Sequence, residues 1–324
     1  MREGKVSPDI LKKLVFSNII TKREEVLIRP GIGLDSAAVD FGNYAAVLSM
    51  DPITAAAKNI GRLAVHVACN DIATCGIEPI GIMLTILIPP TETEEVLSQI
   101  MRDAGEAAKE INVEIIGGHT EVTGAVNRVV ISTVAMGRAP KDRLITASGA
   151  RVGDYVILTK MAGMEGTAIL AYDFENELNK VFPKEFIERA KTFIDNISVV
   201  KEAKIAAKEG ATAMHDVTEG GVFGAVWEIC EASGVGVELW YDEIPVAEET
   251  RLLCDYFRLD PFKLISSGSL IITTPNKNTI DSLNQLGIKA TVIGRITENG
   301  RFILKKDKKE ELIPPDRDEL YNII

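Results

Sequence analysis

The run Met214-His215-Asp216-Val217-Thr218-Glu219-Gly220-Gly221-Val222 joins a short strand-like segment, residues 211–215, to a helix-like segment, residues 221–232. It places the carboxylate of Asp216 just before two glycines and the start of the helix. We expect Thr218 to cap that helix, since a threonine hydroxyl accepts hydrogen bonds from the first free N–H groups. Free N–H groups and the helix dipole also favour negative charge. The run therefore predicts a strand–loop–helix unit that holds a metal ion or a phosphate.

Two earlier clusters carry the same kind of chemistry. Asn70 and Asp71 fall inside an apolar helical segment, where a carboxylate is rarely buried unless it is paired or binds metal. Gly117-Gly118-His119-Thr120-Glu121 follows a predicted strand, so its glycines can cradle phosphate while His119 or Glu121 reaches metal or substrate. In an extended backbone His119 and Glu121 face one side and Thr120 the other. Three such clusters favour a nucleotide–metal site over three ordinary turns.

Two further aspartates stand where a ligand can approach the chain. Asp35 lies in the glycine-containing stretch at residues 31–39, and one carboxylate there can bind Mg²⁺. Asp51 ends a predicted strand, just before Pro52, and a carboxylate at a strand end often lines a ligand crevice. A solvated turn is the alternative at both positions. The sequence contains no Walker A loop and no complete dinucleotide fingerprint.

Composition narrows the class of protein. A chain of 324 residues suits two domains. A net charge of −11 argues against binding to nucleic acid or to an anionic membrane, but not against ATP, because a bound metal ion inverts the local charge balance. The sequence has no apolar run of membrane-spanning length and no signal peptide at its polar start. Together with four scattered cysteines, these features predict a cytoplasmic protein.

Strands and helices alternate along both halves of the chain, which predicts α/β (α+β) layers. The stretch at residues 137–154 is rich in glycine, proline and charge and separates the halves. We place an N-terminal domain at residues 1–148 and a C-terminal domain at residues 149–324. The predicted strands are residues 44–49, 80–88, 113–116, 128–136, 155–159, 211–215, 270–274 and 290–293. The predicted helices are residues 59–75, about 91–110, 186–209, 221–232 and 279–286.

Six motifs occur in order along nearly the whole chain. They are Asn59-Ile60-Gly61-Arg62-Leu63-Ala64, Asn70-Asp71-Ile72-Ala73, Gly76-Ile77-Glu78-Pro79, Gly117-Gly118-His119-Thr120, Asp216-Val217-Thr218-Glu219-Gly220-Gly221 and Ile265-Ser266-Ser267-Gly268. This ordered set resembles the superfamily of aminoimidazole ribonucleotide synthetase. The superfamily also contains the hydrogenase-maturation carbamoyl dehydratase, selenophosphate synthetase and thiamine-monophosphate kinase. The set is most similar to the carbamoyl dehydratase branch.

The resemblance implies a two-domain fold whose N-terminal sheets pair into a barrel in a homodimer. It implies ATP and Mg²⁺ in a cleft, with Asp35, Asp51, Asp71 and Asp216 on the metals and phosphates. Asn70, Gly117, Gly118 and Thr120 would support the nucleotide, and His119 and Glu121 would face the acceptor as catalytic residues. The implied chemistry is transfer of the γ-phosphoryl group to an oxygen by positioning and charge neutralisation.

The chain departs from the branch it resembles, because carbamoyl dehydratases end in a cysteine that receives the carbamoyl group. No cysteine follows Cys254 here. The acceptor, a small molecule or a modified protein group, is therefore left open. Two alternatives also stay open: a nucleotide-binding maturation or scaffold protein that works with a partner and has no turnover of its own, and a metal-dependent phosphohydrolase.

Overall fold

Two β-sheets organise residues 4–54, 58–306 and 308–323, the part of the chain that this computed structural model describes. The strands of the first sheet are β1 (Val26–Ile28), β2 (Ser36–Phe41), β3 (Tyr44–Ile53), β4 (Pro79–Ile88), β5 (Glu114–Val122) and β6 (Val130–Pro140). Those of the second are β7 (Tyr155–Thr159), β8 (Ala213–Asp216), β9 (Gly236–Trp240), β10 (Leu270–Thr274), β11 (Ala290–Thr297), β12 (Arg301–Lys305) and β13 (Lys308–Glu311).

The α-helices of the described residues connect and cover these strands. They are α1 (Pro8–Ile10), α2 (Ile60–Thr74), α3 (Glu94–Glu110), α4 (Met164–Asp173), α5 (Glu175–Leu178), α6 (Lys184–Lys191), α7 (Val200–Lys208), α8 (Gly221–Ser233), α9 (Glu248–Phe257) and α10 (Asn278–Gln285). None of the helices in this described part is both long and apolar enough to cross a membrane.

The first sheet has the strand order β1-β2-β3-β6-β4-β5 and is covered on one face only. Side chains alternate between the faces of a strand. Along β3 the residues Ala45, Val47 and Ser49 are buried beneath the helices, while Met50 is 67% exposed on the other face. Helices α2 and α3 pack on the buried face. The sheet therefore presents an open apolar face, which also carries Ile80 and Met83.

The second sheet has the order β13-β12-β9-β11-β7-β10-β8 and is covered on both faces. Val156 and Leu158 of β7 pack in the cluster that contains α8. Ile157, between them, packs in the cluster that contains α7 and Leu283 of α10. A strand covered on both faces is a nearly continuous apolar run, which is why residues 155–159 and 270–274 were predictable from sequence with their observed ends.

Helix α2 lies between the two sheets, which explains why almost all of its residues are buried. Asn70 uses this position to join the domains. Its Nδ2 donates to the carbonyl of Ile197 at 2.9 Å, and its Oδ1 accepts the N–H of Val199 at 2.9 Å. The segment between these partners separates α6 from α7, so the single helix predicted at residues 186–209 is wrong. Both ends of the Asn70 amide are occupied by backbone, and its role in nucleotide binding stays a prediction.

Replacing Asn70 with Ala is expected to lower the free energy of unfolding by about 3 kcal/mol, because it leaves a buried N–H and a buried C=O without partners. Urea unfolding measures the change. The matched control is Asn278→Ala, which removes an exposed asparagine and should change stability by less than about 0.5 kcal/mol. Equal stability of the Asn70 variant and the wild type would show that the interdomain hydrogen bonds are replaced by water.

Two other local predictions need correction, and several elements were not predicted. Residues 117–121, expected to follow a strand that ends at residue 116, continue strand β5 to Val122. Thr218 does not cap α8, whose N-cap is Gly220 with a left-handed backbone, φ 86°. Strands β1, β2, β9, β12 and β13 and helices α4 and α9 were not predicted, because they are short or lack a strong apolar period.

Candidate functional site

Asp216 ends strand β8, where the chain turns into helix α8. Pairing with Leu270 of β10 and a hydrogen bond from the N–H of Val217 to the carbonyl of Ser269, 2.9 Å, fix its backbone. Gly221 is also left-handed, φ 61°, and a Cβ atom there would lie 2.6 Å from the carbonyl oxygen of Phe262. Only glycine fits both the conformation and the space. The glycines of this run thus let the turn pack closely and aim the Asp216 carboxylate inward.

The first N–H groups of α8 are used inside the protein. Gly220 donates to Oδ2 of Asp318 at 2.8 Å, Gly221 to the carbonyl of Thr218 at 3.0 Å, and Phe223 to the carbonyl of Phe262 at 3.1 Å. These groups were the donors expected to hold a phosphate at the helix start. Because the protein satisfies these three donors itself, the Asp216 carboxylate is the main ligand group of this run.

Three aspartates meet at the junction of the two domains. Asp51 extends from the covered face of β3, Asp71 from α2 and Asp216 from β8. Hydrogen bonds from Ser36 Oγ to the carbonyl of Asp71, 3.1 Å, and from Ser49 Oγ to the carbonyl of Ala68, 2.8 Å, hold α2 against the sheet. The domain packing therefore brings together carboxylates that lie far apart in sequence.

The oxygens of this cluster fit a cation. Asp51 Oδ2, Asp71 Oδ2 and both carboxylate oxygens of Asp216 are buried and have no hydrogen-bond partner among the described residues. Burial and the neighbouring carboxylates raise the pKa of Asp51 and, more strongly, that of Asp71. Burial, with the charges of Asp35 and Asp51, raises the pKa of Asp216 to about 7. Buried, mutually repelling carboxylate oxygens suit a hard cation such as Mg²⁺, which prefers oxygen ligands.

Asp35 stands at the rim of the cluster and is linked to it by His215. The His215 Nε2 atom lies 3.3 Å from Oδ2 of Asp35 and 2.9 Å from Oε2 of Glu228, and its Nδ1 lies 2.7 Å from the carbonyl oxygen of Asp216. Asp35, His215 and Asp216 offer possible ligand atoms that lie within 4.8 Å of one another. Burial alone would lower the pKa of His215, but Asp35 and Glu228 raise it to about 10. In the metal-free chain the protonated ring therefore acts as an internal cation beside the carboxylates.

Glu228 and Lys5 complete this charged network and were missed by sequence reasoning. Lys5 Nζ donates to Oε1 of Glu228 at 2.9 Å, and its N–H donates to Oε2 of Glu219 at 2.9 Å. Burial opposes ionisation of Glu228, but His215, 2.9 Å away, and the charge of Lys5 lower its pKa to about 2. Glu228 and Glu231 are the two acidic residues of the otherwise apolar helix α8. An acidic residue in an apolar helix was the available signal, the same one that identified Asp71. No sequence signal pointed to Lys5, which is more than 200 residues from its partners.

His119 and Glu121 lie on the other face of the first sheet. Asp51 pairs with Thr133, and Thr133 pairs with Leu84, so these three share the covered face. His119 pairs with Thr85, the next residue of β4, and therefore faces the opposite side. The side chains of His119 and Glu121 are 66% and 52% exposed and lie 3.5 Å apart. Within one chain they do not join the aspartates, and their catalytic role stays a prediction.

The remaining predicted nucleotide-binding residues, Gly117, Gly118 and Thr120, also lie in the exposed edge strand β5. A Cβ atom on Gly118 would lie 2.0 Å from the carbonyl oxygen of Leu84. This glycine is thus required by strand pairing, whatever else it does.

A cavity of about 460 Å³ opens beside the aspartate cluster. Asp35 and Glu228 form its charged wall, Trp227 and Pro315 an apolar wall, and Lys5 lies at its edge. The N-terminal segment and the C-terminal tail frame the opening. Its size and mixed lining suit a small-molecule ligand.

An open six-stranded sheet, a covered seven-stranded sheet and a carboxylate cluster between them define a two-domain α/β protein with a candidate cation site. The chain belongs to the AIR synthase related protein family: the N-terminal domain of that family matches residues 33–139, and its C-terminal domain matches residues 151–307. The superfamily and the α/β fold class expected from the ordered motifs are thereby confirmed. The domain boundary at residue 148 stays a prediction.

Several relatives resemble the chain over most of its length. A Methanocaldococcus jannaschii protein, whose name links it to hydrogenase expression or formation, is 29% identical over 93% of this chain and 90% of its own. The carbamoyl dehydratase HypE of Bradyrhizobium diazoefficiens is 30% identical over 74% of this chain and 69% of its own. The thiamine-monophosphate kinase of Pyrococcus horikoshii is 27% identical over 94% and 95%.

Solved structures share the fold. The crystal structure of a HypE–HypF complex matches 94% of this chain and 99% of the solved one, with a TM-score of 0.78 and 23% identity. The crystal structure of hydrogenase maturation protein HypE in complex with ATP matches 98% of this chain and 97% of its own, with a TM-score of 0.73 and 21% identity.

Proposed function

We propose that this protein is an ATP- and Mg²⁺-dependent enzyme that transfers the γ-phosphoryl group of ATP to an oxygen of a small molecule or of a modified protein group. The observation that carries the proposal is the set of buried carboxylate oxygens without partners on Asp51, Asp71 and Asp216. The relatives support it, since one is named a kinase and another a dehydratase, and a solved relative holds ATP.

In this proposal Asp35, Asp51, Asp71 and Asp216 hold the metal–triphosphate. Mg²⁺ held by these carboxylates would supply charge neutralisation for phosphoryl transfer. Asp51, Asp71 and Asp216 are fixed by three different elements, so their oxygens are positioned before the ligand arrives. His215 and Lys5 hold Glu228 and Asp35 in place as paired charges at the rim. The cavity beside Asp35 and Glu228 would admit the acceptor.

We further propose a homodimer formed through the open face of the first sheet. Met50, Ile80, Met83 and Ile116 are all about half exposed or more on that sheet, and exposed apolar side chains grouped on one face are typical of a protein–protein interface. The exposed strand β5 would then meet the partner subunit, which is the arrangement in which His119 and Glu121 could approach a bound substrate. We also propose a maturation partner protein, which is supported by the solved complex of a HypE relative with HypF.

The test is thermal unfolding with ATP alone, Mg²⁺ alone and both, followed by measurement of ADP released with a panel of acceptors. We expect stabilisation that requires both ligands, of roughly 3 kcal/mol when ATP is present at a hundred times its Kd. Asp281→Asn, an exposed change on α10, is the matched control and should respond as the wild type does.

The alternatives give different results in the same assay. A nucleotide-binding scaffold would be stabilised by Mg²⁺ and ATP but release no ADP until a partner protein is added. A phosphohydrolase would liberate phosphate from a phosphorylated substrate without ATP. Absence of any response to Mg²⁺ with ATP would refute the proposal.

A further inference from the structure

The C-terminal tail, residues 312–323, ends on the loop that follows Asp216. The side chain of Asp318 is buried there, with 1% exposure. Its Oδ2 accepts the N–H of Gly220 at 2.8 Å, and its Oδ1 accepts the N–H of Leu320 at 2.9 Å. The N–H of Ile265 faces the same carboxyl group and opposes the rise of its pKa. One carboxyl group therefore contacts three separate segments of the chain.

Two of these segments lead directly to Asp216. Gly220 ends the four-residue loop that begins at Val217, immediately after Asp216. Ile265 begins the segment that runs into β10, the strand whose first residue, Leu270, pairs with Asp216. The Asp318 carboxyl thus anchors the loops attached to both strands that hold the Asp216 backbone.

Only a carboxylate meets the demands of this position. It offers two acceptor oxygens and no donor, whereas an Asn amide would turn an NH₂ group toward the N–H of Gly220 or Leu320. Burial nevertheless raises the pKa of Asp318 to about 7, so the ionised form is costly to keep. A second tail contact supports the same loop: the Tyr321 hydroxyl lies 3.2 Å from Oε1 of Glu219.

We propose that Asp318 is a positioning residue, which sets the loop from Val217 to Gly220 and through it orients the Asp216 carboxylate toward the metal. The inference rests on the proposed metal–nucleotide function and assigns the C-terminal tail a part in it. The C-terminal tail would then support the site through the buried carboxyl group of Asp318, which holds the loop without binding the metal.

The experiment is titration of the full-length, metal-free protein with Mn²⁺. Calorimetry measures the Kd, and electron paramagnetic resonance reports the environment of the bound ion. Asp318→Asn should weaken Mn²⁺ binding about tenfold and alter the spectrum, since displaced supporting groups typically cost that much in metal affinity. Asp255→Asn makes the same charge change at an exposed position of α9, outside the lining of the cavity, and should leave the Kd within about twofold of the wild type.

A second control separates positioning from loss of stability. Thr250→Val removes a buried hydrogen bond with Thr167 in another part of the domain, so it should lower the melting temperature without changing Mn²⁺ affinity or the spectrum. If Asp318→Asn does not fold, Gly220→Ala tests the same link, because a Cβ at φ 86° strains the loop that Asp318 holds.

The outcomes distinguish the two proposals. A folded Asp318→Asn protein with the wild-type Kd and spectrum overturns the positioning role alone, as does an unchanged Gly220→Ala protein where the Asn variant cannot be made. A wild-type protein that binds no Mn²⁺ overturns the metal–nucleotide function and the positioning role with it.

Discussion

Asp216→Asn is expected to stabilise the metal-free protein above pH 7 and to abolish its stabilisation by Mg²⁺ with ATP. Burial and the neighbouring carboxylates raise the pKa of Asp216 from 3.8 to about 7 in the folded chain. The folded state therefore binds the proton more tightly than the unfolded state does. Stability from this group is fully present below pH 3.8 and is lost as the pH rises through 7.

The expected magnitude follows from the same shift. Moving a carboxyl pKa from 3.8 to about 7 corresponds to at most roughly 4 kcal/mol, and coupling to the neighbouring groups reduces it, so we expect a gain of about 2 kcal/mol at pH 8. The Asn side chain carries no charge and keeps the shape of Asp, so the folded variant does not have to bury an ionised group at pH 8. It also loses the anionic ligand, which should remove the response to Mg²⁺ with ATP.

Urea unfolding of the metal-free proteins at pH 4 and pH 8 measures the first effect, and thermal unfolding with Mg²⁺ and ATP measures the second. The two proteins should be equally stable at pH 4. Asp281→Asn, exposed on α10, should match the wild type under every condition. The prediction fails if the Asp216 variant is less stable than the wild type at pH 8 or if it retains the wild-type response to ATP.

The aspartates of the site were predictable because each breaks a local pattern. Asp71 interrupts an apolar helix and Asp216 ends strand β8, so single positions carried the signal. Asp51 was selected as the end of a predicted strand, but strand β3 continues past it to Ile53. The structure gathers Asp51, Asp71 and Asp216 and sets Asp35 at their rim. What gathers them is the burial of α2 between the two sheets, a packing that composition and period do not describe.

Contacts between distant segments could not be predicted in the same way. Lys5 meets Glu228, and Asp318 meets Gly220, across 223 and 98 residues of chain. Neither pair follows from a local pattern.

Residues 117–121 show a different limit of prediction from sequence. Alternation correctly placed His119 and Glu121 on one side of a strand, but only the pairing of β5 with β4 shows that this side is opposite to Asp51.

His215→Gln is expected to destabilise the protein by about 3 to 5 kcal/mol near pH 6, the cost of leaving buried charges without their partner. The imidazolium lies between Glu228, Asp35 and Asp216, of which Glu228 is the nearest, at 2.9 Å. Without the imidazolium, these carboxylates repel one another with no positive charge between them. Gln can donate one hydrogen bond to Glu228 but supplies no positive charge.

The pH dependence of this contribution has the same sign as that of Asp216 but lies at higher pH. Burial would lower the pKa of His215, but Asp35 and Glu228 raise it from 6.5 to about 10. The stability it contributes is therefore fully present below pH 6.5 and is lost as the pH rises through 10. Urea unfolding at pH 6, 8 and 10 should show the difference between wild type and variant shrinking toward high pH. His119→Gln, which alters an exposed histidine, should cost less than about 0.5 kcal/mol throughout. A constant loss from pH 6 to pH 10 would mean that His215 stabilises the site by packing and not by its charge.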